Sequence, residues 1–173
     1  MNTYQPDILT TDLKAVFCGI NPPTSAEISG HNFSAPSNRF WNVLHLSGFT
    51  DVRLQPEDER RLLNYDCGIT AVIHRPTRRA TEVSSREFRQ AKLELEERMR
   101  RFTPRSIAFL GKRAFAAMMD LGDVHLGCQP AAFGGIATWV LPNPSGLNRG
   151  FTLDALVRAY SEFRIALEGE RKS

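Results

Sequence analysis

Short apolar runs alternate with amphipathic segments along most of the chain. The runs at residues 13–20, 68–73, 106–110 and 138–141 have the length of buried strands, and each stops at turn-forming residues. The first run ends most abruptly, at Gly19-Ile20-Asn21-Pro22-Pro23. We therefore predict four strands, with the turn after the first as the most distinctive strand end.

Apolar positions three and four residues apart predict five helices between and after these strands. They begin near residues 38, 56, 85, 112 and 152. We expect Ser37 to cap the first of them and Gly48 to end it. Ser84 and Glu87 have the spacing of a capping box at the start of the third, whose opposite face, with Glu94 and Arg98, is interpreted as solvated.

Strands that alternate with helices indicate an α/β fold with a mostly parallel sheet covered on both faces. The length of 173 residues favours a single domain, residues 1–173, with a core at about 12–168. The interval from 22 to 36 is rich in Pro and Ser and also contains Gly, Asn and Thr. A loop of that length after a strand is usually functional.

Composition narrows the class of protein. Apolar residues make up 42% of the chain and charged residues 24%, and no 18-residue apolar window exists, so we expect a globular protein that does not span a membrane. Residues 1–11 lack the basic start of a secretory signal, which favours a cytoplasmic location. The spacing of Cys18, Cys67 and Cys128 favours reduced thiols in or near the core over a disulfide framework or zinc site.

The net charge of +3 permits a nucleic-acid partner without requiring one. The stretch from His74 to Arg89 is clearly basic, as a phosphate-facing surface or a solvated loop would be. Lys112, at a predicted helix start after Gly111, is a candidate phosphate contact, and a plain solvated lysine is the alternative. His31 is a candidate for contact with a bound ring.

The common nucleotide-binding, metalloprotease and serine-hydrolase motifs are absent from the sequence. Two strand-end loops remain, residues 19–22 and 143–149, and a parallel sheet places both at its carboxyl edge. Asn21 offers an amide that can hold a base edge or a water. Leu147 is interpreted either as a plug on its own domain or as a wedge for a base stack, with Ser145 and Arg149 beside it.

Four blocks in this order make the chain resemble the mismatch-specific uracil-DNA and thymine-DNA glycosylases of the uracil-DNA glycosylase superfamily. The blocks are residues 19–22, 33–41, 68–70 and 143–149. The resemblance implies a three-layer α/β/α fold and double-stranded DNA with a mismatched or damaged pyrimidine as the partner. It implies a monofunctional enzyme that flips uracil out of a mismatch with guanine and hydrolyses its N-glycosidic bond, with no cofactor and no metal.

The resemblance also implies residue roles. Asn21 would hold the attacking water, and Phe33 would stack on the extruded base. The base pocket would comprise Gly19, Ile20, Pro22, Ala26, His31, Phe33, Ser34 and Ala71. The DNA-binding set would comprise Lys112, Asn143, Ser145, Gly146, Leu147, Asn148 and Arg149, the loop residues filling the vacated stack and contacting the guanine.

Three positions depart from the usual family pattern or vary within it. Pro23 stands where a glycine is usual, which removes a backbone donor, and Ala71 stands where a polar residue is common. The resemblance implies that Ala26 leaves room for a 5-methyl group, so thymine is a further candidate substrate. Ethenocytosine is another candidate, because relatives accept it. The alternatives are a non-catalytic mismatch-binding or lesion-binding protein and a small-molecule hydrolase or nucleotide-binding domain. We expect a monomer.

Overall fold

A computed structural model describes residues 6–22 and 29–170. Its sheet has five strands in the order β2-β1-β3-β5-β4, and every neighbouring pair is parallel except the antiparallel pair β4–β5. The strands are β1 (Ala15–Gly19), β2 (Cys67–Ala71), β3 (Ser106–Leu110), β4 (Gly127–Cys128) and β5 (Ala137–Leu141).

The described residues also form four α-helices and two 3-10 helices. The α-helices are α1 (Phe40–Leu46), α2 (Ser85–Phe102), α3 (Lys112–Met119) and α4 (Leu153–Glu170). The 3-10 helices are Pro56–Tyr65 and Ala80–Glu82. No helix in this part of the chain has the length and apolar character needed to cross a membrane.

Successive residues of β1 face opposite sides of the sheet, since side chains of a strand alternate between its two faces. Ala15 and Phe17 belong to a core cluster with α1 and α4, whereas Val16 and Cys18 belong to a second cluster with α2 and α3. The sheet is thus the middle of three layers. This arrangement confirms the predicted α/β class with helices on both faces.

Several local predictions need correction. Ser37 does not cap α1; the side chain of Asn38 instead accepts a hydrogen bond from Phe40 N at 3.0 Å. The antiparallel strand β4 was not predicted, because two residues carry no readable alternation. Cys18 and Cys67 are buried as expected, but Cys128 is exposed.

The interpretation that the face of α2 with Glu94 and Arg98 is solvated is partly wrong. The side chain of Arg98 is only 11% exposed, and it donates to Thr70 Oγ1 and Ala71 O at the end of β2. A long side chain can cross a helix–sheet interface to reach polar atoms, which helical spacing does not reveal. The capping box is half formed: Ser84 accepts from Glu87 N at 3.1 Å, while the Glu87 carboxylate binds Arg75.

Gly68 is a tightly enclosed position in β2. A Cβ atom there would lie 2.4 Å from Ile8 O and 2.7 Å from a Leu13 methyl group. Ile8 cannot easily move away, because its backbone exchanges two hydrogen bonds with Ile69. Only a residue without a side chain therefore lets the segment before β1 pack against β2.

We predict that Gly68→Ala lowers the free energy of unfolding by about 1–3 kcal/mol, the usual cost of overpacking a core. Urea denaturation monitored by circular dichroism measures it. Gly122→Ala is the matched control, because a Cβ at Gly122 meets no heavy atom within 4 Å. Equal midpoints for the two variants would contradict the close approach seen at Gly68.

Candidate active site

The carboxyl ends of β1, β3 and β5 open into one cavity of about 790 Å³. A parallel sheet brings these ends to the same edge, so residues far apart in sequence share the wall. The wall is built from Gly19, Ile20, Asn21, Phe33, Asn38, Thr77, Arg78, Arg79, Thr81, Leu110, Gly111, Lys112, Arg113, Leu126, Pro142, Asn143, Ser145, Leu147, Asn148 and Phe151. Among these described residues there is no carboxylate and no histidine.

The Asn21 amide is held in one orientation. Its Nδ2 donates to Thr77 Oγ1 at 2.8 Å and to the Arg75 carbonyl at 3.0 Å. Thr77 N in turn donates to the Pro22 carbonyl at 3.1 Å, which ties the same segment to the turn. Within the described residues no donor reaches Asn21 Oδ1. The amide can therefore present its oxygen as an acceptor, while its nitrogen is committed to the protein.

Phe33 has a backbone φ of 53°, in the left-handed region that aromatic residues rarely adopt. Its ring packs on Phe40, with ring centroids 4.0 Å apart, and lies beside Gly19. Strain of this kind costs on the order of 1–3 kcal/mol and persists only where neighbouring groups impose it. It places an aromatic ring on the wall next to the Asn21 turn.

The neighbouring Asn32 supplies that restraint. Its backbone N and its Nδ2 donate to the two carboxylate oxygens of Glu59, both at 3.1 Å, and its carbonyl accepts from Trp41 Nε1. Burial raises the pKa of the Glu59 carboxyl group, and the hydrogen bonds from Asn32 and His31 oppose that rise. Glu59 is thus a buried acceptor that holds the loop carrying Phe33 in place.

Several predicted pocket residues do not line the cavity. His31 turns to Glu59, with 2.9 Å between His31 Nδ1 and Glu59 Oε2, and Ser34 accepts from Ser29 Oγ at 2.8 Å. Pro22 is buried and acts through its carbonyl, and Ala71 is buried beside Gly19 in the β1–β2 register. Ala26 and Pro23 lie outside the described residues.

The loop after β5 is internally bonded and holds Leu147 outward. Ser145 Oγ accepts from Leu147 N at 3.2 Å, and Asn148 Nδ2 donates to the Asn143 carbonyl at 2.9 Å. The Leu147 side chain is 73% exposed, so the plug interpretation is wrong. Gly146 packs so closely on Ser37 that a Cβ would lie 2.6 Å from that side chain. Gly146 and Arg149 are not part of the cavity wall.

Arg39 anchors this loop from a distance of more than a hundred residues in sequence. Its guanidinium donates to four carbonyl oxygens, at 2.5–3.4 Å, and its backbone N also donates to the Pro144 carbonyl. The four acceptors belong to Pro144, Ser145, Asn148 and Phe151. Arg39 lies in the block 33–41 and Thr77 in the basic stretch, but sequence reasoning assigned neither a role, because both act through contacts formed only on folding.

Lys112 begins α3 and is exposed on the cavity wall, a position that fits both a phosphate contact and the alternative of a solvated lysine. Arg78 and Arg79 join it there from the basic stretch singled out in the sequence. A search of the described residues gave no group of three side chains suited to hold a metal ion. The wall therefore combines an oriented amide, an aromatic ring, exposed cations and an exposed leucine.

Comparison with known proteins gives the family. An NMR structure from Methanosarcina acetivorans, of a protein provisionally described as a uracil DNA glycosylase, superposes with a TM-score of 0.62 at 20% sequence identity. The match covers 95% of this chain and 96% of that one, and at this identity it shows the fold. The family model described as the uracil DNA glycosylase superfamily matches residues 6–164. The chain belongs to the uracil DNA glycosylase superfamily.

Proposed function

We propose that this chain is a monofunctional DNA glycosylase that removes uracil from mismatches with guanine in duplex DNA. The observation that carries the proposal is the oriented Asn21 amide, set in a cavity wall with exposed cations and no carboxylate among its described residues. Family membership supports a glycosylase. The preference for mismatches and the residue roles below are our inference.

A base inside a duplex must leave the stack before its glycosidic bond can be reached. Extrusion costs a few kcal/mol, and less for a mispaired base, so a G·U pair is favoured before any pocket contact forms. Leu147 is the apolar group available to fill the vacated space, since it is held outward on a bonded loop. Arg149 would contact the guanine left behind.

The extruded uracil would enter beside Phe33 and stack on its ring. Phe33 already packs on Phe40 and is held by the Asn32–Glu59 hydrogen bonds, so the platform exists before the base arrives. Base–aromatic stacking is worth about 1–3 kcal/mol and is tolerant of base identity. Backbone groups near Ile20 and Phe33 would read the base edge.

Asn21 would position the attacking water through Oδ1. An amide can accept a hydrogen bond from water, but it cannot take the proton as a carboxylate would. Glycoside hydrolysis usually employs two carboxylates. The described wall of this cavity has none, so in our proposal the rate comes from other interactions. The departing uracil anion would be stabilised by backbone amides and by the positive field of Arg78, Arg79 and Lys112. We expect slow chemistry.

The range of bases is part of the proposal. A small side chain at Ala26 favours acceptance of thymine, and ethenocytosine is a further candidate. Excision from duplexes with each base opposite guanine and opposite adenine tests this range. Release of uracil but not thymine from guanine mismatches would refute the proposed activity on thymine and leave the proposed activity on uracil unaffected.

We predict that Asn21→Ala lowers the single-turnover rate of uracil release from a G·U duplex by about a hundredfold or more, since misplacing a reacting group costs on the order of 10²-fold in rate. Binding of the same duplex is expected to persist. Asn64→Ala, an exposed amide on the 3-10 helix Pro56–Tyr65, is the matched control. Equal rates for Asn21→Ala and the wild type would refute the water-positioning role.

Two outcomes for the wild-type protein would replace the proposal. Tight binding of the G·U duplex with the base still attached at all times would indicate a non-catalytic mismatch binder. No affinity for mismatched duplex, and no effect of changing Leu147, would indicate a small-molecule hydrolase or nucleotide-binding domain.

We predict that Leu147→Ala weakens binding of G·U duplex and slows uracil release, because the vacated stack is no longer filled. Fluorescence anisotropy measures the first and a single-turnover assay the second. Leu93→Ala is a matched control, since Leu93 on α2 is 75% exposed, much as Leu147 is. Equal effects of the two substitutions would argue against a specific role for Leu147.

We predict that Arg39→Lys loosens residues 144–151, because one ammonium group cannot reach four carbonyls as a planar guanidinium does. Amide hydrogen exchange in that segment should accelerate, and G·U binding should fall in the same direction as for Leu147→Ala. Arg158→Lys, exposed on α4, is the control. Unchanged exchange in residues 144–151 would show that the loop does not depend on Arg39.

A further inference from the structure

We propose that Arg78 and Arg79 form a phosphate-binding site for the DNA strand that carries the excised base. The inference rests on the proposed function, and it assigns a new site to the segment from Arg75 to Glu82, here named the strap. Its partner is a run of backbone phosphates on DNA. Four features of the strap support this assignment.

The backbone of the strap is held rigidly. Thr77 Oγ1 donates to the Arg79 carbonyl at 2.7 Å, and Glu82 N donates to the same carbonyl at 3.1 Å. The Glu82 carboxylate accepts from Arg78 N at 3.2 Å. A rigid backbone loses little conformational entropy when its side chains bind a ligand.

The three arginines of the strap differ in whether an acidic side chain pairs with them. Arg75 is paired with Glu87 by two hydrogen bonds, at 2.8 and 3.2 Å, so its charge is largely neutralised. Arg78 and Arg79 are exposed, and within residues 6–22 and 29–170 their guanidinium groups have no acidic partner. Their positive charge is available for a ligand from outside.

The position of these side chains indicates what they bind. Both line the cavity that holds Asn21, and the strap is bonded to the Asn21 side chain itself. The strap follows β2, whereas Lys112 follows β3, and β1 lies between these two strands in the sheet. Cations therefore stand on either side of the turn where the extruded nucleotide would lie.

The exposure of the pair selects the kind of anion. A single small phosphate ligand is usually enclosed by several donors, whereas neither arginine is enclosed here. Two adjacent, outward guanidinium groups suit successive phosphates of a long polyanion, and arginine matches phosphate geometry with paired donors. The pair would hold strand register without reading base sequence.

The test uses the full chain with Arg78→Gln and Arg79→Gln combined. Binding of an undamaged DNA duplex is measured by anisotropy between about 50 and 200 mM salt, a range in which phosphate contacts dominate the salt dependence. Undamaged duplex contains no uracil to be excised, so the measurement reports binding alone. Arg60→Gln combined with Arg61→Gln is the matched control, an adjacent exposed pair on the 3-10 helix Pro56–Tyr65 that lies outside the cavity wall.

We expect the plot of the logarithm of the DNA association constant against the logarithm of the salt concentration to become shallower in the strap variant. The slope should change by about 1.8, which is about 0.9 for each of the two phosphates that the protein no longer neutralises. The control pair should leave the slope unchanged, and thermal melting should show both variants folded. Affinity for G·U and undamaged duplexes should fall by the same factor, because phosphate binding is independent of sequence.

An unchanged slope in the strap variant would overturn the inference, and so would an equal change in the control variant. A wild-type chain that releases uracil while the strap variant keeps the full slope would refute this site and leave the proposed function standing. A wild-type chain with no affinity for DNA would refute both.

Discussion

Parallel pairing of β1 on both of its edges is the constraint on which the site depends. Val16 pairs with Gly68 on one side and with Ile107 on the other, so β1 cannot shift without breaking two ladders. The pairing continues past the strand, where Val72 and Ile73 donate to the carbonyls of Gly19 and Ile20. The backbone is therefore held by hydrogen bonds up to Ile20, the residue before Asn21.

From that fixed end, the rest of the cavity is assembled by hydrogen bonds over long sequence separations. The strap after β2 holds the Asn21 amide, and Arg39 holds the loop after β5. The hydrogen bonds between Glu59 and Asn32 hold the loop that carries Phe33. Each candidate side chain is thus positioned by a residue from a different element, as expected when precise placement must come from the residues around it.

The charge of the cavity wall fits the chemistry proposed for it. Its described residues include arginines and a lysine but no carboxylate, so none of them is a carboxylate base for proton transfer. An oriented amide and a positive field are suited instead to a reaction with a stable anionic leaving group. The same cations attract a polyanion, so the proposed DNA binding and the proposed catalysis would depend on the same charges.

The sequence by itself determined the fold class, the four parallel strands of the sheet and the loops that meet at its edge, but not the antiparallel strand β4. Apolar period and turn residues are local properties, and they identified the turn at Asn21 and the loop around Leu147 correctly. Only the tertiary structure decided that His31 faces Glu59, that Leu147 points outward and that Arg98 reaches β2. Those outcomes depend on hydrogen bonds and close packing between distant segments, which have no periodic signature along the chain.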